Sequence, residues 1–268
     1  MFVPREQVMT HLMLILAAVA AAIGGNLQSL LDDFSGRSEA RHRQQVEQAI
    51  RASPELAKQM QELAARELLT GFTTRAEDAP REPEQANLLG WRSGGTIVLT
   101  PPLLDAVKDV QRRFRTLDYS RNNPNDLVFI LGFMAAKLET QAALEDSKQL
   151  MMAEFQKKAG AVPQGGTIEV TDLLKTRIDT QLADDARAYL LAINKVTDAA
   201  ETAKGAPLSL KEFSELMMKM RFSAILFTSM ELKEGQIVTA PSLRYAVDDH
   251  NIRAVTAALG KSDMFLFH

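Results

Sequence analysis

Apolar residues recur every three or four positions along most of this chain, which is the spacing of one buried face of an α-helix. The longest such stretches are residues 126–158 and 172–204. The first is apolar on all sides for three turns and amphipathic from Glu139 onward, so we expect a helix that starts in the core and emerges into solvent. The second carries a seam that predicts packing on another helix, formed by Ile178, Leu182, Ala186, Tyr189, Ile193, Val196 and Ala200.

Shorter helices are marked by residues that favour helix ends. Ser209 begins a capping box, Pro54 suits a first helical turn, and Ser38 is a candidate cap. Ser35-Gly36 is expected to break the helix that precedes Ser38. The helices predicted in this way cover residues 39–53, 55–68 and 103–117, a segment from residue 210 onward, and a last segment that ends at Gly260.

Residues 88–92 and the β-branched run at residues 96–100 flank Ser93-Gly94-Gly95 and predict a hairpin. Residues 77–85 contain two prolines and read as a polar loop. The predicted fold class is therefore mostly α (α+β), with one small β-sheet or hairpin. We expect an N-terminal helical segment over residues 1–53 and a larger unit over 54–268, or one continuous domain.

The N-terminal apolar run, residues 12–23, is shorter than the roughly 20 residues that span a bilayer. A signal peptide has a similar core, with a cleavage point here at residues 20–22, but Arg5 is balanced by Glu6 and makes a poor positive leader. Apolar positions also continue at helical spacing beyond the run, which favours a core helix over a cleaved leader. These positions are Leu27, Leu30, Leu31 and Phe34.

Composition removes several kinds of chemistry. The chain has 268 residues, of which 46% are hydrophobic, so it can bury a sizeable core. Its net charge of −3 gives no general attraction to nucleic acid. It has no cysteine, which excludes disulfides, thiolate metal sites and cysteine nucleophiles. There is no Gly-x-Ser-x-Gly elbow and no phosphate-binding loop.

The long predicted helix over residues 126–158 lacks the side chains that a zinc peptidase would carry there. A zinc peptidase of the HExxH type places two histidines four residues apart on a helix, with a glutamate between them as general base. After Leu131-Gly132, the three corresponding positions hold Phe133, Met134 and Lys137. Taken alone, this stretch favours a plain core helix that never held a metal.

Other polar residues give weaker signals. Each of the four histidines is read as a surface or locally hydrogen-bonded side chain, since none pairs with another ligand on one helix. Asp184-Asp185 is read as a solvated helix face, and so are Glu139 and Glu145.

Several segments in order resemble bacterial zinc metallopeptidases of the HExxH, zincin-like type that are associated with secreted interbacterial toxins and effectors. They include residues 51–56, 123–132, 184–194, 208–210 and 251–255. The resemblance implies that the helix after Asp126 once carried HExxH and that a downstream helix supplied an acidic third ligand, for which Asp185 or Tyr189 is the candidate. The chain is then a degenerate member, whose former site comprises Phe133, Met134, Lys137, Asp185 and Tyr189.

The expected function is a catalytically inactive scaffold that binds another protein or has a structural role, in the bacterial cytoplasm or secreted. We expect no cofactor, no metal, no nucleic acid and no stable membrane span. In zincins the strand before the active helix can pair with extended peptides, so Leu88, Leu89 and Trp91 are the candidate interface. The alternatives are an active peptide hydrolase in which Glu139, Asp185 or His250 converge, and an inhibitor or decoy of an active relative.

Overall fold

The computed structural model describes residues 25–37, 40–74, 90–100, 103–104, 124–161, 168–220, 237–238 and 243–260. The described part is mostly helical with a small three-stranded mixed sheet, which confirms the predicted fold class at that level. In chain order the elements are α1 (Gly25–Arg37), α2 (Ala40–Ala52), α3 (Pro54–Ala65), β1 (Gly71–Thr73), β2 (Gly90–Ser93), β3 (Thr96–Leu99), α4 (Pro124–Gly160), α5 (Thr171–Lys204), α6 (Leu210–Lys219), β4 (Ile237–Val238), β5 (Arg244–Tyr245) and α7 (Asp249–Leu259).

Two helix starts follow the predicted capping chemistry. Ser209 Oγ accepts the Glu212 backbone N–H at 3.3 Å, and the Glu212 carboxylate accepts the Ser209 N–H at 2.7 Å, which completes the capping box of α6. Pro54 lies at the start of α3, where Ser53 Oγ accepts the Leu56 N–H at 3.0 Å. These side chains satisfy donors that a helix leaves unpaired at its first turn.

The predicted break at Ser35-Gly36 is wrong, because α1 continues through both residues to Arg37. Leu27, Leu31 and Phe34 are completely buried along one face of α1. The Phe34 ring lies 6.1 Å from that of Phe72 in β1, so packing at the end of α1 outweighs the weak helix propensity of serine and glycine. The apolar run at residues 12–23 and the Ser38 cap lie outside the described residues.

The predicted hairpin forms. β2 pairs antiparallel with β3, β1 pairs parallel with β3 on its other side, and β3 is therefore the central strand. Gly94 adopts φ +59°, a conformation that glycine tolerates best in a tight turn. At Gly95 an added Cβ would lie 2.7 Å from the carbonyl oxygen of Leu68, in the segment between α3 and β1. The hairpin turn therefore lies too close to that segment for a larger residue.

The helices α4 and α5 run antiparallel through the centre of the core. Gly132 of α4 faces α5, where an added Cβ would lie 3.3 Å from Ala192 Cα and 3.2 Å from Lys195 Cγ. A glycine at this point lets the two helix backbones approach closely. Buried side chains of α1 and α2 belong to the same hydrophobic cluster as those of α4 and α5.

The outer halves of α4 and α5 extend beyond this core. Every residue from Asn125 to Leu138 is buried, whereas most residues from Ala142 to Gly160 are exposed, as the amphipathic pattern predicts. By length and composition α4 would pass as a membrane-spanning helix, but 61% of its most apolar 18-residue stretch is buried inside the fold.

The predicted seam of α5 holds only in its inner part. Ala186, Tyr189 and Ile193 are buried, but Ile178 is 57% exposed and the prediction is wrong there. The reason is the length of the neighbouring helix α7, whose last residues lie beside Leu182. Among the described elements, nothing covers the α5 face one turn further out. Of the predicted helix at 103–117, only Leu103 and Leu104 are described; both are helical and buried.

Candidate functional site

Two of the predicted former site residues lie in the apolar core of α4. Phe133 and Met134 are each 2% exposed, which confirms that both side chains are buried. The Phe133 ring stacks on Phe129 at 6.3 Å, and Phe129 meets Tyr189 of α5 edge-on at 5.2 Å. Offset and edge-on aromatic pairs add stability beyond the area that they bury. Tyr189 is fully buried in this stack.

Lys137, one turn further along α4, lies in an internal ion cluster. Its Nζ donates to Asp185 Oδ1 at 2.5 Å, and it contacts Asp184 Oδ2 closely, as an ion pair without hydrogen-bond geometry. The Lys137 side chain is 11% exposed and that of Asp184 is 8% exposed. Of the two α5 residues predicted for the third-ligand position, Asp185 binds Lys137, whereas Tyr189 packs against Phe129.

The prediction that Asp184 and Asp185 form a solvated helix face is wrong, because both carboxylates bind the buried Lys137. Consecutive helical residues point about 100° apart, so two adjacent carboxylates can both reach one long side chain that lies between the helices. A lysine within an apolar helical stretch requires a buried counter-charge, because an unpaired ammonium is strongly disfavoured away from water. That requirement is a sequence signal for a buried counter-charge, but it does not name the partner. Glu145 is exposed as expected, while Glu139 is half-buried and pairs with Arg187 at 3.8 Å.

Arg92 of β2 extends the cluster and was not identified from the sequence. Its Nη1 donates to Gln141 Oε1 of α4 at 2.5 Å. Burial lowers the pKa of Arg92 below its ordinary value, and the negative charge of Asp184 acts in the opposite direction. Arg92 forms no ion pair within the described part of the chain. A partly desolvated guanidinium with spare donors is thus placed beside the ion cluster.

A groove of about 540 Å³ opens between the outer halves of α4 and α5, above this cluster. Phe133, Met134 and Lys137 lie at its inner end, so the predicted site residues of α4 border an open space. Arg92 and Gln141 lie beside them, and the rest of the wall comes from the exposed halves of the two helices. The lining residues that matter below are Leu144, Met151, Leu173 and Arg177.

The described part of the chain does not offer a metal-binding set at this site. Among the described residues, no three His, Asp or Glu side chains are grouped so that they could hold a metal ion. Asp184 and Asp185 make a pair, and Lys137 already binds both. His250 is exposed at the start of α7, and His42 is buried with its Nε2 3.5 Å from Arg41 Nη2, so the two agree with the surface and the locally hydrogen-bonded alternatives respectively.

The predicted interface is described only in part. Leu88 and Leu89 lie outside the described residues, and of Trp91 the backbone alone is described, paired with Val98. β2 packs directly on α4, since an added Cβ on Gly90 would lie 3.2 Å from Ile130 Cγ2. The strand therefore runs beside α4 near the inner end of the groove.

A second charged cluster joins α3, α5 and β5. Arg244 Nη1 donates to Glu201 at 2.8 Å, Nη2 pairs with Asp198 at 3.3 Å, and Nε lies 3.6 Å from Glu55. Ser53 Oγ donates to Asp198 at 2.6 Å. Burial raises the pKa of Asp198, and hydrogen bonds from Ser53 and the Glu55 backbone act against that rise. Because these groups bind one another and border no described groove, we assign the cluster a structural role.

Comparison of the chain with protein-family models, with curated proteins and with solved structures finds no match. The metallopeptidase relationship therefore stays a prediction that rests on the sequence segments given above.

Proposed function

We propose that this chain is a catalytically inactive, metallopeptidase-like scaffold that acts as a protein-binding module, in the setting of a bacterial secreted toxin or effector system. One observation carries the proposal. The helix position that would hold a second histidine ligand holds Lys137, and its ammonium binds the two carboxylates of the facing helix.

The charge of this arrangement supports a lost metal site. In an HExxH enzyme a metal cation lies between the helix ligands and an acidic third ligand. Here a lysine side chain supplies positive charge opposite Asp185. Phe133 cannot bind a metal, and Met134 cannot take a proton from a bound water as the glutamate would. A tethered cation keeps the two helices together but cannot activate water.

The open groove supports binding over a purely structural role. A core rebuilt only for stability would fill the space next to the ion cluster. Instead a groove of about 540 Å³ remains there, bordered by Arg92 and by apolar side chains of two helices. Clefts of a few hundred Å³ that combine apolar walls with a few charged groups are typical of binding sites.

The alternative of an active hydrolase has less support. Asp185 is bound by Lys137 and Glu139 pairs with Arg187, so neither carboxylate is left available as a general base. His250 is exposed on α7, and none of the described contacts joins it to either residue. An inhibitor or decoy of an active relative would use the same groove and is a special case of the binding proposal.

Elemental mass spectrometry and a peptidase assay test the proposal. Dialysed protein should contain far less than one zinc per chain, and a library of fluorogenic peptides should not be cleaved above the rate with heat-denatured protein. Stoichiometric zinc that survives dialysis would contradict the loss of the metal site, and hydrolysis that a chelator abolishes would show that the chain is an enzyme.

A further inference from the structure

We infer that the groove between the outer halves of α4 and α5 binds an acidic, amphipathic α-helix of a partner polypeptide. The inference rests on the proposed binding function and adds the chemistry of the partner. It is argued from the length of the groove, its apolar positions and its unmatched charges.

The groove is elongated, with a long wall on α4 and a shorter wall on α5. Its lining along α4 extends from Phe133 to Glu154, about 32 Å at 1.5 Å per helical residue. On α5 the facing residues extend from Leu173 to Gln181. Two antiparallel helices bury little apolar surface by themselves, and a third helix laid along their common groove is the usual arrangement of a bundle.

Apolar side chains are spaced along the groove to meet the apolar face of such a helix. Leu144 and Met151 lie two turns apart on α4, with Leu173 opposite them on α5. Leu150 lines the same groove and is 74% exposed, although a leucine is normally buried. Met134 and Met151 can adjust to differently shaped partners because the methionine side chain is flexible.

The charged side chains that line the groove indicate that the partner helix carries negative charge. The two glutamates that line it already have cations on α4: Glu145 lies 3.4 Å from Lys148, and Glu154 lies 3.9 Å from Lys158. Arg177 lines the groove on α5 and has no ion pair or hydrogen bond among the described residues.

Two guanidinium groups, those of Arg92 and Arg177, therefore line the groove without an ion pair among the described residues, and of the two only Arg92 is also subject to the charge of Asp184. A guanidinium binds a carboxylate in a two-pronged, charge-assisted geometry. A partner helix with glutamate or aspartate beside its apolar stripe would supply the missing carboxylates.

Two designed peptides of 21 residues test the inference. Both carry leucines at heptad a and d positions; one has glutamates at the flanking positions and its twin has lysines. Fluorescence anisotropy at low salt should show the glutamate peptide binding at least about tenfold more tightly than the twin. Arg177→Glu should weaken the glutamate peptide about tenfold and strengthen the lysine twin, and Arg92→Gln should weaken the glutamate peptide.

Lys175→Glu is the matched control, because Lys175 is exposed on the same helix and does not line the groove. It should change either affinity by less than about twofold. Circular dichroism should show that all three variants remain folded.

Three outcomes would overturn the inference: no binding of the glutamate peptide, equal binding of the twins, or equal effects of Arg177→Glu and Lys175→Glu. A fourth is self-association of the wild type that Met151→Glu abolishes in sedimentation, because a second copy would then occupy the groove. Since the zinc and peptidase assays use no peptide helix, the proposed function can stand when this inference fails.

Discussion

At the scale of single residues, Lys137 is a charged side chain that is almost fully buried. Its ammonium and the carboxylates of Asp184 and Asp185 are removed from water together. Such a cluster adds little net stability over apolar residues of the same size, since burying charge offsets the attraction between them. Removing one member is different, because it leaves the opposite charge buried without a partner.

We therefore expect Lys137→Met to lower the free energy of unfolding by about 3–5 kcal/mol at pH 7, measured by urea denaturation. The two carboxylates are then left buried side by side without the lysine that binds both of them, which is the source of the deficit.

Lys137→Met with Asp184→Asn and Asp185→Asn is the matched control, since it removes the whole charge cluster. It should recover most of the stability lost in the single variant. A single variant as stable as the wild type at pH 7 would mean that the cluster is open to water.

Substitution of Phe133 tests whether this side chain belongs to the packed core. Phe133→Ala should lower the free energy of unfolding by about 3–5 kcal/mol, because it leaves a cavity beside Phe129. Phe155→Ala, on the exposed half of α4, should change it by less than about 1 kcal/mol, since Phe155 is 37% exposed. Similar values for the two variants in denaturant unfolding would contradict the assignment of Phe133 to the core.

At the scale of elements, helix positions could be predicted from the sequence because they depend on local spacing and local caps. The Ser209 box, the Pro54 start and the buried first turns of α4 are of this kind. Charge pairing could not be predicted in the same way. Lys137 and Asp185 are 48 residues apart, and their meeting depends on how α4 and α5 are set against each other. Ile178 was misassigned for a related reason, because its exposure depends on where α7 ends.

The way in which α4 and α5 face each other can be tested by building a metal site between them. Phe133→His with Lys137→His would place two imidazoles one turn apart on the α4 face that borders the groove, opposite Asp185. We expect dialysed double variant to retain about one zinc per chain by elemental mass spectrometry. The single variant Phe133→His should retain far less. Equal zinc contents in the two variants would contradict the expected placement of both imidazoles opposite Asp185.

At the scale of the whole molecule, Arg244 joins parts that are distant in the sequence. It binds carboxylates of α3 and α5 from β5, and the Asn194 side chain of α5 binds both the backbone N–H and the carbonyl of Tyr245 beside it. The C-terminal part of the described chain is thereby attached to the central helix.

Arg244→Met should leave Asp198 and Glu201 without their shared cation and lower the free energy of unfolding by about 3–5 kcal/mol. Hydrogen exchange should show β5 and α7 losing protection more than α1. Arg253→Met is the control, because Arg253 is 83% exposed and its pair with Asp249 is at the surface. Uniform loss of protection across all elements would contradict a local attachment.

The uninterrupted course of α4 also gives the molecule a mechanical property. Its 37 residues form one rod of about 55 Å that begins among the most deeply buried side chains and ends in solvent. A force on the outer tip is transmitted along the hydrogen-bonded backbone of α4 to Gly132, which lies against Ala192 of α5. No break in the helix lies between the tip and Gly132. The exposed half of α4 is therefore a lever arm, and whatever holds its tip exerts torque on the centre of the molecule.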